Sequence, residues 1–334
     1  MSAMQTHTLA QQPVVLGSGT VVGPKEAQGP LGSFFDVKMD DDMMGQKSFE
    51  KAECSMLEKA VEFAISQAKL KQDDMSFMLC GDLLNQIITT GYAARALKIP
   101  LIGMYGACST MVESIMVSSL ILSGGYGQYA VCATASHFSS AERQYRLPLE
   151  MGSQRAPTSQ WTVTAAGATV LGASGTGTRV THATVGRVID LGVKDSSNMG
   201  AAMAPAAADT ILTHFRERGC DTNEYDLVVT GDLGSIGYAL LDELLRQHGL
   251  YLNGKLMDCG CEIYAGMKDV CAGGSGCGCA ASVLNGYLLR EIGLGKIKKI
   301  LMVATGALMS TTSSQQGESI PGIAHAVALE GRER

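Results

Sequence analysis

Ile102-Gly-Met-Tyr105-Gly106-Ala107-Cys108-Ser109-Thr110-Met111 is the stretch whose reading decides the fold. Residues 102–105 read as a short apolar strand, 106–110 as a tight turn, and 111–123 as a helix apolar on nearly every side. Such a helix belongs in the interior. A cysteine at this junction stands beside unpaired backbone N–H groups and the positive end of a helix dipole. Upstream, 76–80 reads as a buried strand ending in Gly81-Asp82, and 86–97 as a helix. Before these comes a helix over 51–71, with Met56, Ala60, Phe63 and Ala64 at helical spacing, and a short first strand over 14–16 closed by Gly17. The acidic run Asp40-Asp41-Asp42 lies in a solvated loop, since no spaced ligand set follows it. Downstream, 129–135 reads as a strand.

The second half runs through the same order. A helix is predicted over 203–218, a strand over 226–230 ending in Gly231-Asp232, a helix over 237–249, a Cys/Gly turn over 273–279 leading into a helix over 280–292, and a strand over 299–304. Phe77-Met-Leu-Cys-Gly81-Asp82-Leu83 overlays Leu227-Val-Val-Thr-Gly231-Asp232-Leu233. Val131-Cys-Ala133-Thr134 overlays Met302-Val-Ala304-Thr305, and the same offset carries Cys108 onto Cys279. Paired Gly-Asp-Leu segments and paired Cys-to-helix turns argue for internal duplication.

The 334 residues, 46% hydrophobic and 17% charged, supply a substantial core and exclude a disordered chain. A net charge of −6 argues against a nucleic-acid partner. The ten cysteines come without an apolar leader at the start, so they are expected to be reduced, in an intracellular protein. Residues 114–141 carry no charge, but Gly124-Gly125-Tyr126-Gly127 breaks the run, so no membrane-spanning helix is predicted. Cysteines 259, 261, 271, 277 and 279 invite a zinc reading. Their Cys-x-Cys spacing does not match structural zinc sites, and no metal is expected. The glycine-rich stretches 172–177 and 273–276 lack the pattern of a dinucleotide loop, and no cofactor is expected.

A duplicated βαβ chain with Gly-Ala-Cys-Ser-Thr between strand and buried helix resembles the thiolase superfamily, above all its ketoacyl-synthase III type. Leu120-Ile-Leu-Ser-Gly124-Gly125-Tyr126 and the Gly/Ala-rich Ala165-Ala166-Gly167-Ala168 agree with it. Five motifs, in order, resemble the stage V sporulation AD family of spore-forming bacteria. They are Gly32-Ser33-Phe34-Phe35-Asp36, the Tyr105–Cys108 turn, Gln144-Tyr145-Arg146 with Pro148, Arg155-Ala-Pro157-Thr-Ser-Gln160-Trp161, and Ile323-Ala-His325. The resemblance implies an α/β fold of two similar halves, 1–175 and 176–334, in five alternating layers of helix and sheet. It implies a homodimer with the strand after Tyr129 at its interface. It also implies dipicolinic acid (pyridine-2,6-dicarboxylate) as ligand, taken up into the developing spore. Membrane proteins of the same operon would then be partners, and they would hold the chain peripherally at the spore inner membrane.

Cys108 is placed where acyl-transfer enzymes present a nucleophile, although a cysteine there also reads as a small buried hydrophobe. Resembling enzymes carry a His after the second-half strand and a His or Asn on the turn before the next helix. Here those places hold Gly231-Asp232 and Gly276-Cys277-Gly278-Cys279. A carboxylate beside a thiol raises its pKa. The expectation is therefore a binding protein with no catalytic residue, the alternative being a residual acyltransferase or thioesterase using Cys108. Cys108, His137, Asp232, Ser235, Gly276, Cys279 and Arg155 are expected to converge on one cleft between the halves. Arg143, Arg146 and Arg155 bracket its mouth, where an anionic ligand favours a guanidinium. His182, His214, His248 and His325 are read as structural residues on element surfaces.

Overall fold

In the computed structural model, which describes residues 4–145 and 155–332, the duplicated sequence forms two matching runs of five strands. The first run uses β1 (Val14–Val22), β2 (Phe77–Asp82), β3 (Leu101–Gly103), β4 (Tyr129–Ser136) and β5 (Ala165–Gly172), in the order β3-β2-β4-β5-β1. The second uses β6 (Arg179–Thr184), β7 (Leu227–Thr230), β8 (Leu256–Asp258), β9 (Lys299–Ala307) and β10 (Gly322–Glu330), in the order β8-β7-β9-β10-β6. In each run the first three strands are parallel and the last two join antiparallel. The runs touch edge to edge through the pairing of Val14 with Arg179.

Helices α1 (Phe49–Gln67) and α2 (Ile88–Leu97) cover the outer face of the first run. Helices α4 (Met199–Arg218) and α5 (Gly234–Gln247) lie on the far side of the second. Helices α3 (Thr110–Ser123) and α6 (Cys277–Ser282) lie between the runs and touch strands of both or face each other across the gap. That middle position explains why α3 is apolar all round: Met111, Val112, Ile115 and Leu122 are fully enclosed, each contributing roughly 1.5–3 kcal/mol of burial. A small parallel pair, Trp161–Thr162 with Gly274–Ser275, stitches the halves together at the end of the strands where Cys108 sits.

Several sequence expectations change. The first strand does not stop at Gly17 but runs on to Val22. Gly17 and Gly19 are contact points: a Cβ there would stand 2.3 Å from the Ala64 carbonyl oxygen and 2.5 Å from that of Ala60, both in α1. The glycines let helix and sheet approach closely. Strand β4, expected at a subunit interface, is flanked by β2 and β5 inside the sheet, and the open edge is β3. Helix α4 begins at Met199 and carries Pro205 within it, α5 begins at Gly234, and α6 begins at Cys277 and passes into a π-turn, Val283–Leu288. His182, His214 and His325 are buried, not on element surfaces, because β6 and β10 are covered on both faces and His214 lies on the side of α4 that faces Thr184 of β6.

Candidate functional site

Cys108 sits in the short 3-10 turn Ala107–Ser109 that opens α3. Ser109 Oγ donates to the Gly106 carbonyl at 2.7 Å, and Thr110 Oγ1 donates to that of Ala107 at 2.7 Å. Ala107 accepts a left-handed backbone, φ 50°, to make the turn. These bonds fix the thiol at the bottom of a narrow cleft, where Cys108 is 5% exposed.

The opposite wall comes from the second half. Past β7 the chain folds over the Asp258 carboxylate, which accepts from Thr230 Oγ1 at 2.7 Å and from the backbone N–H groups of Leu233, Gly234 and Cys261 at 2.8–3.0 Å. The Gln160 side-chain amide donates to the main-chain oxygens of Asp232 and Gly274, at 2.5 and 2.8 Å, tying both segments to the stitch between the halves. Asp232 is held by this frame with no exposure. Its Oδ2 accepts from Gly276 N–H at 2.8 Å and its Oδ1 from Thr305 Oγ1 at 2.9 Å, and it receives the Cys108 S–H. Gly276 is required in that turn: its φ is +102°, and a Cβ would lie 2.9 Å from Ser136 Oγ.

Burial pushes the Asp232 carboxyl up to about 7, against the pull of its three hydrogen-bond donors. Burial also drives the Cys108 thiol well above its ordinary range. The Asp232 charge, the neighbouring Cys277 and the bond to the carboxylate push the same way, and Gly276 N–H works against them. Cys108 is therefore a protonated donor beside an acid, the reverse of a thiolate activated by a base.

The cavity over Cys108 measures about 30 Å³ and is walled by Leu83, Tyr105, Met199, Ser275, Ala307 and Met309. Glu142 and Thr162 also line it. Thr162 Oγ1 donates to Glu142 at 2.8 Å, and Arg155 Nη1 reaches the same carboxylate at 3.3 Å. Arg155 also donates to the Gln160 carbonyl and lies over the Trp161 ring, so its guanidinium serves the cleft wall.

Of the residues expected to converge, Cys108, Asp232 and Gly276 do so, and Arg155 joins through Glu142. His137 does not. Its Nε2 meets the Asp42 carbonyl at 2.7 Å, Nδ1 accepts from Ser139 N–H, and the ring leans on Phe49. The residue just past β4 turns under the acidic loop, which gives that loop an anchor and the cleft nothing. Ser235 is exposed at the start of α5, where its N–H donates to the Ala272 carbonyl, outside the cleft. Cys279 packs into the core between the sheets, and Cys277 shares an apolar cluster with Cys108, Leu83 and Ala141. The reason is register: α6 begins at Cys277, so two cysteines two positions apart face opposite ways. Arg143 pairs with Glu50. Arg146 and Pro148 lie outside the described residues. Glu142, Met199 and Met309 escape sequence reasoning because they come from three separate segments and no local motif marks them, and Gln160, although it stands in a quoted motif, gives no sign there of its hold on Asp232 and Gly274. Among the described residues no group of three His, Cys, Asp or Glu side chains is placed to hold a metal ion, and no helix is long and apolar enough to cross a membrane.

The sequence profile of stage V sporulation protein AD matches residues 3–330. A stage V sporulation protein AD of Bacillus subtilis strain 168 is 44% identical over 330 residues, covering 99% of this chain and 98% of that protein. The chain belongs to the stage V sporulation protein AD family. Membership gives this AD-family chain a role in sporulation. Solved structures place the family's fold among thiolase-like enzymes. The 3-oxoacyl-[acyl-carrier-protein] synthase III of Aquifex aeolicus VF5 superposes with a TM-score of 0.59 at 14% identity, over 95% of this chain and 99% of that one. Cerulenin-bound OleA of Xanthomonas campestris gives 0.60 at 13% identity, over 98% and 100%. At such identities the likeness is one of fold alone.

Proposed function

We propose that this member of the AD family is a non-catalytic receptor for dipicolinic acid, serving the entry of that compound into the developing spore. The observation that carries the reading is the partner of the Cys108 thiol: a buried carboxyl, where acyl transfer needs an imidazole. A thiol held protonated forms no thioester. The same groups suit recognition of a small planar acid. Ser275 offers a donor, Cys108 offers another when its S–H turns from Asp232, the first turn of α3 turns its positive end to the cleft, and Met199 and Met309 provide apolar cover for a ring. A cavity of this size holds about two water molecules. Dipicolinate therefore enters by displacing the two methionines, whose unbranched thioether chains repack readily.

A second copy of the chain fits the open edge of the first run. Strand β3 exposes Leu101 and Ile102 by 39% and 41%, next to the half-exposed Tyr92 and Tyr105. Unpaired edge strands with apolar side chains seek a partner. Attachment to the spore inner membrane runs through membrane proteins of the same operon. Calorimetric titration with dipicolinate, and separately with acetyl-CoA, tests the ligand reading. One saturable site for dipicolinate and none for the thioester is the expected outcome; acyl transfer from acetyl-CoA, or no heat with dipicolinate, overturns it.

A further inference from the structure

Cys108 S–H is the single proton this side chain can donate. It donates to Asp232, whose other side-chain contacts are Gly276 N–H and Thr305 O–H. The charged and titratable groups around that carboxyl come from every neighbouring element: Cys108 before α3, Cys277 and Cys279 on α6, and Asp258 and Cys259 at the end of β8. None of these groups is a cation. Glu142, the other carboxylate of the cleft, is already matched by Arg155. An anion entering above Cys108 thus meets a sulfur whose proton points away from it, with the Asp232 carboxylate directly behind.

Resting on the reading of the cleft as an anion receptor, we propose that Cys108 and Asp232 form a proton relay that couples binding of a carboxylate ligand to uptake of one proton from solvent. The proton goes to an Asp232 carboxylate oxygen. The Asp232 O–H then donates to Cys108 Sγ, and the Cys108 S–H turns outward to the ligand carboxylate. Both acceptors are satisfied, and the bound state carries one negative charge fewer. Burial of Asp232, which holds its carboxyl at about 7, brings this exchange into the neutral range. The cleft loads as pH falls and releases as pH rises.

Titration calorimetry of the full chain with dipicolinate, in phosphate and in Tris at about pH 8, measures the proton directly from the difference in heats. The wild type takes up close to one proton per ligand, and its affinity falls about tenfold for each pH unit above the carboxyl's own value. Asp232→Asn binds with no proton uptake and a flat pH profile. Cys108→Ser, which keeps a hydroxyl donor in the relay, retains the coupling, whereas Cys108→Ala loses it. Wild-type binding without proton uptake, or an Asp232→Asn profile parallel to wild type, overturns the relay and leaves the receptor standing. No binding at any pH overturns both.

Discussion

Asp232→Asn isolates the cost of keeping a carboxylate inside this fold. The amide keeps the shape, and its oxygen and N–H₂ can serve Gly276 N–H, Thr305 Oγ1 and Cys108 Sγ in turn. What it removes is titration. The carboxyl moves from an ordinary 3.8 to about 7 on folding. A raised acid adds stability that is complete below 3.8 and lost as pH climbs through about 7. Between those two values each pH step of one removes about 1.4 kcal/mol. From about pH 5 to about pH 8 the wild type therefore loses roughly 2–3 kcal/mol through this one group, and the variant loses none of it. Every other titrating group is common to both proteins and cancels in the difference. Urea unfolding followed by the fluorescence of the single tryptophan, Trp161, reads the two stabilities across that range. The variant gains on the wild type by about 2–3 kcal/mol from the acid end to the alkaline end. Parallel curves would refute the reasoning, because they would mean that Asp232 stays ionised in the fold.

Other outcomes follow from single side chains. His325 is buried, accepts from Gly186 N–H through Nδ1, and is lowered by burial from 6.5 to about 4. Its neutral state therefore contributes stability that is whole above 6.5 and lost as pH falls toward 4. His325→Gln flattens the acid limb of the unfolding profile by up to about 1.4 kcal/mol per pH step of one, and an unchanged limb contradicts it. Gly276→Ala forces a side chain into φ +102° and against Ser136 Oγ, costing about 1–3 kcal/mol in thermal or urea unfolding. A variant as stable as wild type would show that the turn is not held as described. Intact-protein mass spectrometry after incubation with acetyl-CoA finds no adduct on Cys108; stoichiometric acetylation would show the thiol to be activated after all.

Much of the fold is legible in the sequence because duplication doubles every signal. The Gly-Asp-Leu ends of β2 and β7, and the two Cys-bearing turns that open α3 and α6, identify corresponding places before any strand pairing is known. The pocket pair Cys108 and Asp232 is legible for the same reason, since each stands just past the end of a parallel strand, where α/β folds place ligands. The misses have physical causes too. Gly17 looks like a stop, although its missing Cβ, like that of Gly19, serves helix contact inside a continuing strand. β6 and β10, covered on both faces, show no alternation to read. His137 and Cys279 stand within a few residues of the cleft in sequence, yet the local turn of the backbone sends each side chain elsewhere. The Glu142–Arg155 pair and the Gln160 clamp join segments that only the folded chain brings together.

The account rests on the cleft above Cys108 as the place where dipicolinate is held, and Met309→Trp tests that place directly. Met309 is 9% exposed at the rim and forms part of the cavity wall, so an indole there fills the volume that the ligand needs without touching Cys108 or Asp232 chemically. Calorimetric titration of dipicolinate into wild type and into Met309→Trp, with circular dichroism confirming the native fold of both, gives one saturable site per chain in the first and none in the second. Equal affinity in the two proteins would place the ligand elsewhere and contradict the account.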